Sequence, residues 1–139
     1  MGAPFTHQLR VRYAECDPQG VVFNAHYLAY FDTSLTELWR AAFGSYQAVL
    51  DRGVDVVVAE AQLRFRAAAH FDELLTLAIG VTHLGSTSIV SDHRVSRDGD
   101  QIVDGTLRHV LVEREGLNKT PIPEWMREKL SPWTVEQNP

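Results

Sequence analysis

The sequence has one cysteine, Cys16, so the chain cannot form an intramolecular disulfide, and this usage suits a reducing compartment. No apolar run reaches the roughly 18 residues that a membrane-spanning helix needs, and the first residues lack the apolar core of a signal peptide. The formal net charge of -5 argues against a nucleic-acid-binding surface. We therefore expect a cytoplasmic protein with no membrane insertion and no nucleic-acid partner.

The sequence also lacks the spacing of a metal site. Its six histidines are dispersed along the chain and form none of the close Cys and His pairs of a zinc site. We therefore expect neither a metal nor a separate cofactor. The 139 residues, 45% of them hydrophobic, suffice for one domain with its own core, so a single domain is predicted over residues 1–139.

Hydrophobic periodicity predicts one long helix and about five strands. Apolar residues recur at helical spacing over residues 25–42, and Gly44 follows as a stop signal. A short helical turn is predicted over residues 45–52, and a terminal helix over residues 124–130. Alternating apolar and polar residues predict strands over residues 7–13, 54–67, 74–84, 87–97 and 101–113.

The order of these elements predicts an α+β layer in which the long helix packs on one sheet face. The last three strands should form an antiparallel meander, because Asp98-Gly99 between two alternating runs is a hairpin signal. Both sides of the strand over residues 74–84 are partly apolar, which favours packing against another subunit. The tail from Ser131 is expected to be poorly ordered.

The segment before the long helix places a carboxylate in a turn. Pro18 fixes its own φ and Gly20 permits backbone angles that other residues avoid, so Asp17 is predicted to lie on a defined turn. Asn24 then offers a side-chain oxygen as the helix N-cap. An ordinary structural turn is the alternative interpretation of the same residues.

A carboxylate beside a helix N-terminus can support acyl transfer. The first helical N–H groups lack intrahelical partners and carry about +0.5 of a charge, so they can hold an oxyanion. An ionised carboxylate can attack a carbonyl or deprotonate a water molecule that does so. Asp17 would then supply or activate the nucleophile.

The full pattern RYxECDPxGVVFNxxYLxYFD, from Arg12 to Asp32, resembles the signature of the 4-hydroxybenzoyl-CoA thioesterase family. The resemblance continues through Asp72-Glu73, the Arg97-Asp98-Gly99 hairpin and the TPIPE segment that begins at Thr120. It implies the hotdog fold, an antiparallel sheet of about five strands wrapped around one long central helix. It also implies a homodimer at least, commonly a homotetramer, that hydrolyses acyl-CoA to a free acid and CoA without metal.

The resemblance assigns the catalytic role to Asp17, as nucleophile or general base, and the oxyanion donor to the backbone N–H near Asn24 or Ala25. We expect the substrate to contact the turn and the first helical residues, and the CoA phosphates to bind arginines of the sheet. The expected substrate-binding residues are Gly20, Val21, Tyr27, Arg64, Arg66, Arg94 and Arg97.

Other residues and functions are weighed against this hypothesis. Cys16 lacks a histidine at nucleophile spacing, and Glu15 is expected to point away from Asp17 into a solvated or salt-bridged position. Resemblance to another branch of hotdog enzymes, which places a catalytic Glu on the central helix, makes Glu37 the alternative base; an ordinary polar position on the helix is the other interpretation. The alternative functions are a non-catalytic acyl-CoA-binding protein and a hotdog enoyl-CoA hydratase or dehydratase. The acyl group stays open between aromatic and aliphatic types, and between CoA and acyl carrier protein thioesters.

Overall fold

Five antiparallel strands and one long helix form the protein, whose computed structural model describes residues 2–136. The helices are α1 (Ala25–Phe43), α2 (Tyr46–Asp51) and α3 (Glu124–Leu130), and short 3-10 turns cover Tyr13–Glu15 and Ser131–Trp133. The strands are β1 (Phe5–Arg10), β2 (Val54–Phe65), β3 (Leu74–Leu84), β4 (Ser88–Arg97) and β5 (Asp100–Glu113). They form one sheet in the order β1-β3-β4-β5-β2. The predicted α+β architecture is confirmed.

The core lies between α1 and one face of the sheet. The buried residues of α1 recur three and four positions apart, so they occupy one side of the helix. They are Tyr27, Tyr30, Phe31, Ser34, Leu35, Leu38 and Trp39. Alternate residues of β3 meet them from the sheet, namely Leu75, Leu77, Ile79 and Val81. No helix within residues 2–136 is long and apolar enough to cross a membrane.

The meander follows the predicted hairpin. Asp98 and Gly99 have φ of 51° and 86°, the left-handed angles that a two-residue type I′ turn requires at both positions. Arg97 and Asp100 pair directly on either side of that turn. The predictions of an antiparallel meander and of α3 are confirmed, with β3 and α3 at the predicted bounds.

The first strand, predicted over residues 7–13, begins two residues earlier, at Phe5, and ends three residues sooner. It ends at Arg10, because the Arg12 N–H donates to Oε1 of Glu15 at 2.8 Å and the chain closes a 3-10 turn instead of continuing the ladder. The strand predicted over residues 54–67 ends at Phe65. The N–H groups of Arg66 and Ala67 both donate to the Ile102 carbonyl, at 2.8 and 3.1 Å, which breaks the strand pairing.

The prediction of a poorly ordered tail is wrong for the residues that the structure describes after Ser131. The Val135 N–H donates to the Val81 carbonyl at 2.8 Å, and the Gly2 N–H donates to the Thr134 carbonyl at the same distance. The tail uses the edge of β3 beyond the point where β1 pairing ends. Val135 also packs on Gly80, so part of the outer sheet face is covered by the chain itself. Residues from 137 onward lie outside the described part.

Strand β2 forms one edge of the sheet and carries exposed apolar side chains. Val57, Val58 and Phe65 are 37%, 50% and 55% exposed. A bulge between Val58 and Glu60 interrupts its pairing with β5. An exposed apolar edge is the kind of surface that a second chain covers.

Candidate active site

The predicted Asp17 turn is the tip of a small hairpin. The Asp17 N–H donates to the Val21 carbonyl, and the Gly20 N–H donates to the Asp17 carbonyl, both at 2.9 Å. Gly20 has φ of 79°, an angle that favours glycine. Cys16 bridges Val22 across the hairpin. Asp17 therefore lies on a defined turn, as its local sequence predicts.

One carboxylate oxygen of Asp17 is used by the turn. Its Oδ1 accepts the Gln19 N–H at 2.8 Å, which fixes the side chain on its own backbone. Within residues 2–136, Oδ2 has no protein partner. The half-buried side chain thus keeps one oxygen available for a ligand.

Helix α1 begins a few residues further along the same hairpin, but not as predicted. Asn24 has φ of -54° and ψ of -36°, and its side chain makes no capping hydrogen bond. The predicted side-chain N-cap is wrong because the backbone of Asn24 is already helical, whereas a capping side chain needs a non-helical residue. The His26 N–H donates to the Phe23 carbonyl at 2.9 Å and so closes this first turn.

The helix start leaves two backbone donors open. In the described part of the chain, the N–H groups of Asn24 and Ala25 donate to no protein acceptor. Both residues are exposed. Unpaired N–H groups at a helix start are suited to hold an anionic oxygen.

The loop that follows β2 is hydrogen-bonded to the Asp17 hairpin. The Val22 N–H donates to the Ala69 carbonyl at 2.9 Å, and Val21 bridges His70. The Ala69 N–H in turn donates to the hydroxyl of Tyr27 at 3.3 Å. Tyr27 is buried, and burial raises the pKa of its hydroxyl. Gly20, Val21 and Tyr27 are thus brought together around the Asp17 hairpin, with the Tyr27 hydroxyl engaged by the loop.

Two of the predicted phosphate-binding arginines share one carboxylate. Arg64 donates to Oδ1 of Asp104 at 3.0 Å, and Arg66 donates to Oδ2 at 2.9 Å. Burial on its own raises the pKa of Asp104, but the hydrogen bonds and charges of Arg66 and Arg64 hold that pKa below its ordinary value. The pair of arginines therefore keeps an excess positive charge beside a single anion.

The other two arginines lie elsewhere. Arg97 donates to the Ala68 carbonyl at 3.0 Å and to Glu73 at 2.8 Å, so it holds the loop that flanks the hairpin. Arg94 lines a separate cavity of about 210 Å³, bounded by Ala78, Gly80, Asp92 and Val135 among others. The four predicted arginines do not form one cluster.

Of the alternative catalytic residues, Glu37 lies far from the Asp17 hairpin and Cys16 contacts a backbone carbonyl. Glu37 pairs with Arg40 at 3.2 Å and lies 12 residues beyond Ala25, about 18 Å along α1 at ~1.5 Å per residue. The Cys16 sulfur lies 3.8 Å from the Arg12 carbonyl oxygen. No group of three potential metal ligands occurs among residues 2–136.

Sequence reasoning missed the contacts of Glu15. Of the two expected positions, solvated or salt-bridged, the structure shows the salt-bridged one, since Arg12 Nη2 lies 3.2 Å from Glu15 Oε2. However, Glu15 is only 7% exposed, and its Oε1 also accepts the hydroxyl of Tyr30 at 3.0 Å. The three-residue spacing from Arg12 to Glu15 is the signal that could have suggested the local turn.

Comparison with known proteins connects this geometry to a family. The family model described as "Thioesterase-like superfamily" matches residues 11–130. The acyl-CoA thioester hydrolase YbgC of Escherichia coli is 32% identical over 91 residues, which cover 66% of this chain and 68% of the relative. The 4-hydroxybenzoyl-CoA thioesterase of Pseudomonas sp. is 27% identical over 106 residues, covering 70% of this chain and 71% of the relative.

Solved structures share the same architecture. The crystal structure of a hypothetical protein from Thermus thermophilus is 32% identical, has a TM-score of 0.85, and covers 92% of this chain and 98% of its own. The predicted hotdog fold, with five antiparallel strands around α1, is confirmed.

Proposed function

The chain belongs to the thioesterase-like superfamily, and we propose that it is an acyl-CoA thioesterase that hydrolyses an acyl-CoA to a free carboxylic acid and CoA. One observation carries the proposal: the free Oδ2 of Asp17 lies on a hairpin whose chain leads directly into the open N–H groups of Asn24 and Ala25 at the start of α1. The names of the relatives as acyl-CoA thioester hydrolase and 4-hydroxybenzoyl-CoA thioesterase support the same reaction.

The backbone donors act on the thioester carbonyl. Its oxygen accepts the N–H groups at the start of α1, which polarises the carbon and stabilises the negative charge that forms on the oxygen. Removing one such donor typically costs about 2.7–4 kcal/mol of transition-state stabilisation. The helix start is therefore as important to the reaction as the carboxylate.

Asp17 supplies the nucleophile by one of two routes. In the first, its carboxylate attacks the carbonyl carbon, the C–S bond breaks with release of CoA thiolate, and water then hydrolyses the mixed anhydride at Asp17. In the second, the carboxylate takes a proton from water, the resulting hydroxide attacks the same carbon, and the C–S bond breaks with release of CoA thiolate, which the proton held by Asp17 or solvent then neutralises. A single turnover in ¹⁸O-labelled water tests the first route, because label entering Asp17 excludes a purely general-base route.

The remaining substrate contacts and the assembly belong to the same proposal. Gly20, Val21 and Tyr27 line the acyl site, and Arg64 and Arg66, which share Asp104, bind the CoA phosphates. The exposed edge of β2 supports a homodimer, and paired dimers would give a homotetramer. The protein acts in the cytoplasm and requires no cofactor beyond the CoA of its substrate.

An acyl-CoA panel tests the proposal. Release of CoA is measured for aromatic, short aliphatic and medium aliphatic acyl-CoA, with hydration of an enoyl-CoA measured in parallel. We expect CoA release, with kcat/KM identifying the preferred acyl class. Binding without CoA release would instead favour an acyl-CoA-binding module, and hydration without CoA release would favour a hydratase.

A further inference from the structure

A buried carboxylate connects the Asp17 hairpin to the central helix. Glu15 lies two residues before Asp17 and is 7% exposed. Its Oε1 accepts the Arg12 N–H at 2.8 Å and the Tyr30 hydroxyl at 3.0 Å. Its Oε2 accepts the Arg12 guanidinium at 3.2 and 3.3 Å. A charged group in this position is costly unless it is fully paired, and here both oxygens are engaged.

The hydrogen bond between Tyr30 and Glu15 keeps one protonation state at neutral pH. Burial on its own raises the pKa of Glu15, but the hydrogen bonds from the Arg12 backbone, Tyr30 and the Arg12 side chain hold that pKa below its ordinary value. Burial and the hydrogen bond to Glu15 raise the pKa of the Tyr30 hydroxyl. Glu15 therefore stays the acceptor and Tyr30 the donor at neutral pH.

The backbone of Glu15 also contacts the segment that leads to the N–H groups at the start of α1. Its backbone carbonyl accepts the Phe23 N–H at 2.9 Å, and Phe23 directly precedes Asn24. The backbone of Glu15 thus contacts the hairpin strand that leads to the backbone donors. The side chain of Glu15 contacts the second turn of α1. Tyr30 is 2% exposed and packs edge-to-face on Tyr27, with ring centroids 5.7 Å apart.

We propose that Glu15 and Tyr30 are positioning residues, which fix the Asp17 carboxylate relative to the N–H groups at the start of α1. The role rests on the proposed thioesterase function. Neither side chain needs to touch the substrate, because each acts through the hairpin that carries Asp17. A displacement of about 1 Å between reacting groups can cost about 10²-fold in rate, so loss of this link should lower kcat more than substrate binding.

Tyr30→Phe and Glu15→Gln test the proposal in the full chain. The matched control is Tyr46→Phe, since the Tyr46 hydroxyl donates to Oδ1 of Asp55 at 2.7 Å and thus forms the same type of bond away from the hairpin. We measure kcat, KM and the thermal unfolding midpoint with the best acyl-CoA of the panel. Tyr30→Phe and Glu15→Gln should each lower kcat about tenfold or more and change KM by no more than about threefold. The control should change kcat by less than about twofold.

A double variant separates positioning from general loss of stability. Because Glu15 and Tyr30 form one link, Glu15→Gln combined with Tyr30→Phe should reduce kcat little more than the worse single variant. A folded Tyr30→Phe protein with the kcat of the control overturns the proposal, and this variant decides the question even if Glu15→Gln does not fold. An inactive wild-type protein would instead refute the thioesterase function and this role with it.

Discussion

Two buried histidines should make stability depend on pH above the range in which carboxyl groups titrate. His93 and His109 are 1% and 2% exposed on the inner face of the sheet. His93 stacks on Phe31 of α1 at 4.4 Å, and its Nε2 lies 2.8 Å from the Ser91 hydroxyl. Burial, together with the nearby charge of His109, lowers the pKa of His93 to about 3. Burial alone lowers the pKa of His109 to about 4.

The lowered pKa values of His93 and His109 decide the direction in which the free energy of unfolding changes with pH. Well above pH 6.5, both histidines are neutral in the folded and the unfolded chain, so stability does not change with their titration. Below that pH, the unfolded chain binds protons that the folded protein does not. The free energy of unfolding then falls by about 1.4 kcal/mol per pH unit for each histidine. Between pH 7.5 and pH 5 the two together should remove about 4 kcal/mol.

Urea unfolding at one fixed protein concentration measures this loss. The free energy of unfolding is determined from pH 7.5 to pH 5 for the wild type and for His93→Gln, which can keep a hydrogen bond to Ser91. The variant should lose about half of the pH slope. His83→Gln, the same substitution at an exposed position, is the matched control. A wild-type stability that is flat over this range, or an equal slope in His93→Gln, would refute the reasoning.

Two further predictions concern the site. Asn24→Pro removes one backbone donor, and the fixed φ of proline suits the observed φ of -54°. This variant should lower kcat about 10²- to 10³-fold. Asn24→Ala keeps the donor, so its kcat should stay within about threefold of the wild type. Equal kcat in the two variants, measured with matching unfolding midpoints, would exclude the Asn24 N–H. Arg64→Ala should raise KM for acyl-CoA several-fold with little change in kcat, because Asp104 keeps Arg66; an unchanged KM would remove Arg64 from the phosphate site.

Features set by neighbouring residues were predictable from the sequence. The turn at Asp98-Gly99 and the turn around Asp17 depend on residue types that permit unusual backbone angles, and these are visible in a window of four residues. The apolar alternation of β3 likewise needs only its own residues, and its bounds agree with the prediction.

Features set by distant contacts were not predictable in this way. The burial of Glu15 involves Tyr30, which is 15 positions away, so local alternation indicated only a solvated or salt-bridged position. The tail after Ser131 is ordered by the edge of β3, which no local pattern reveals. Asn24 is a good capping residue by type, but its observed backbone angles prevent that role.

The reaction at Asp17 is tested most directly by kcat/KM of Asp17→Asn with the preferred acyl-CoA. The amide oxygen can still accept the Gln19 N–H, so the hairpin should fold and CoA should bind as in the wild type. Loss of the carboxylate should lower kcat/KM by about 10³-fold or more. Near-normal hydrolysis by this variant would contradict the assignment of Asp17 as nucleophile or general base.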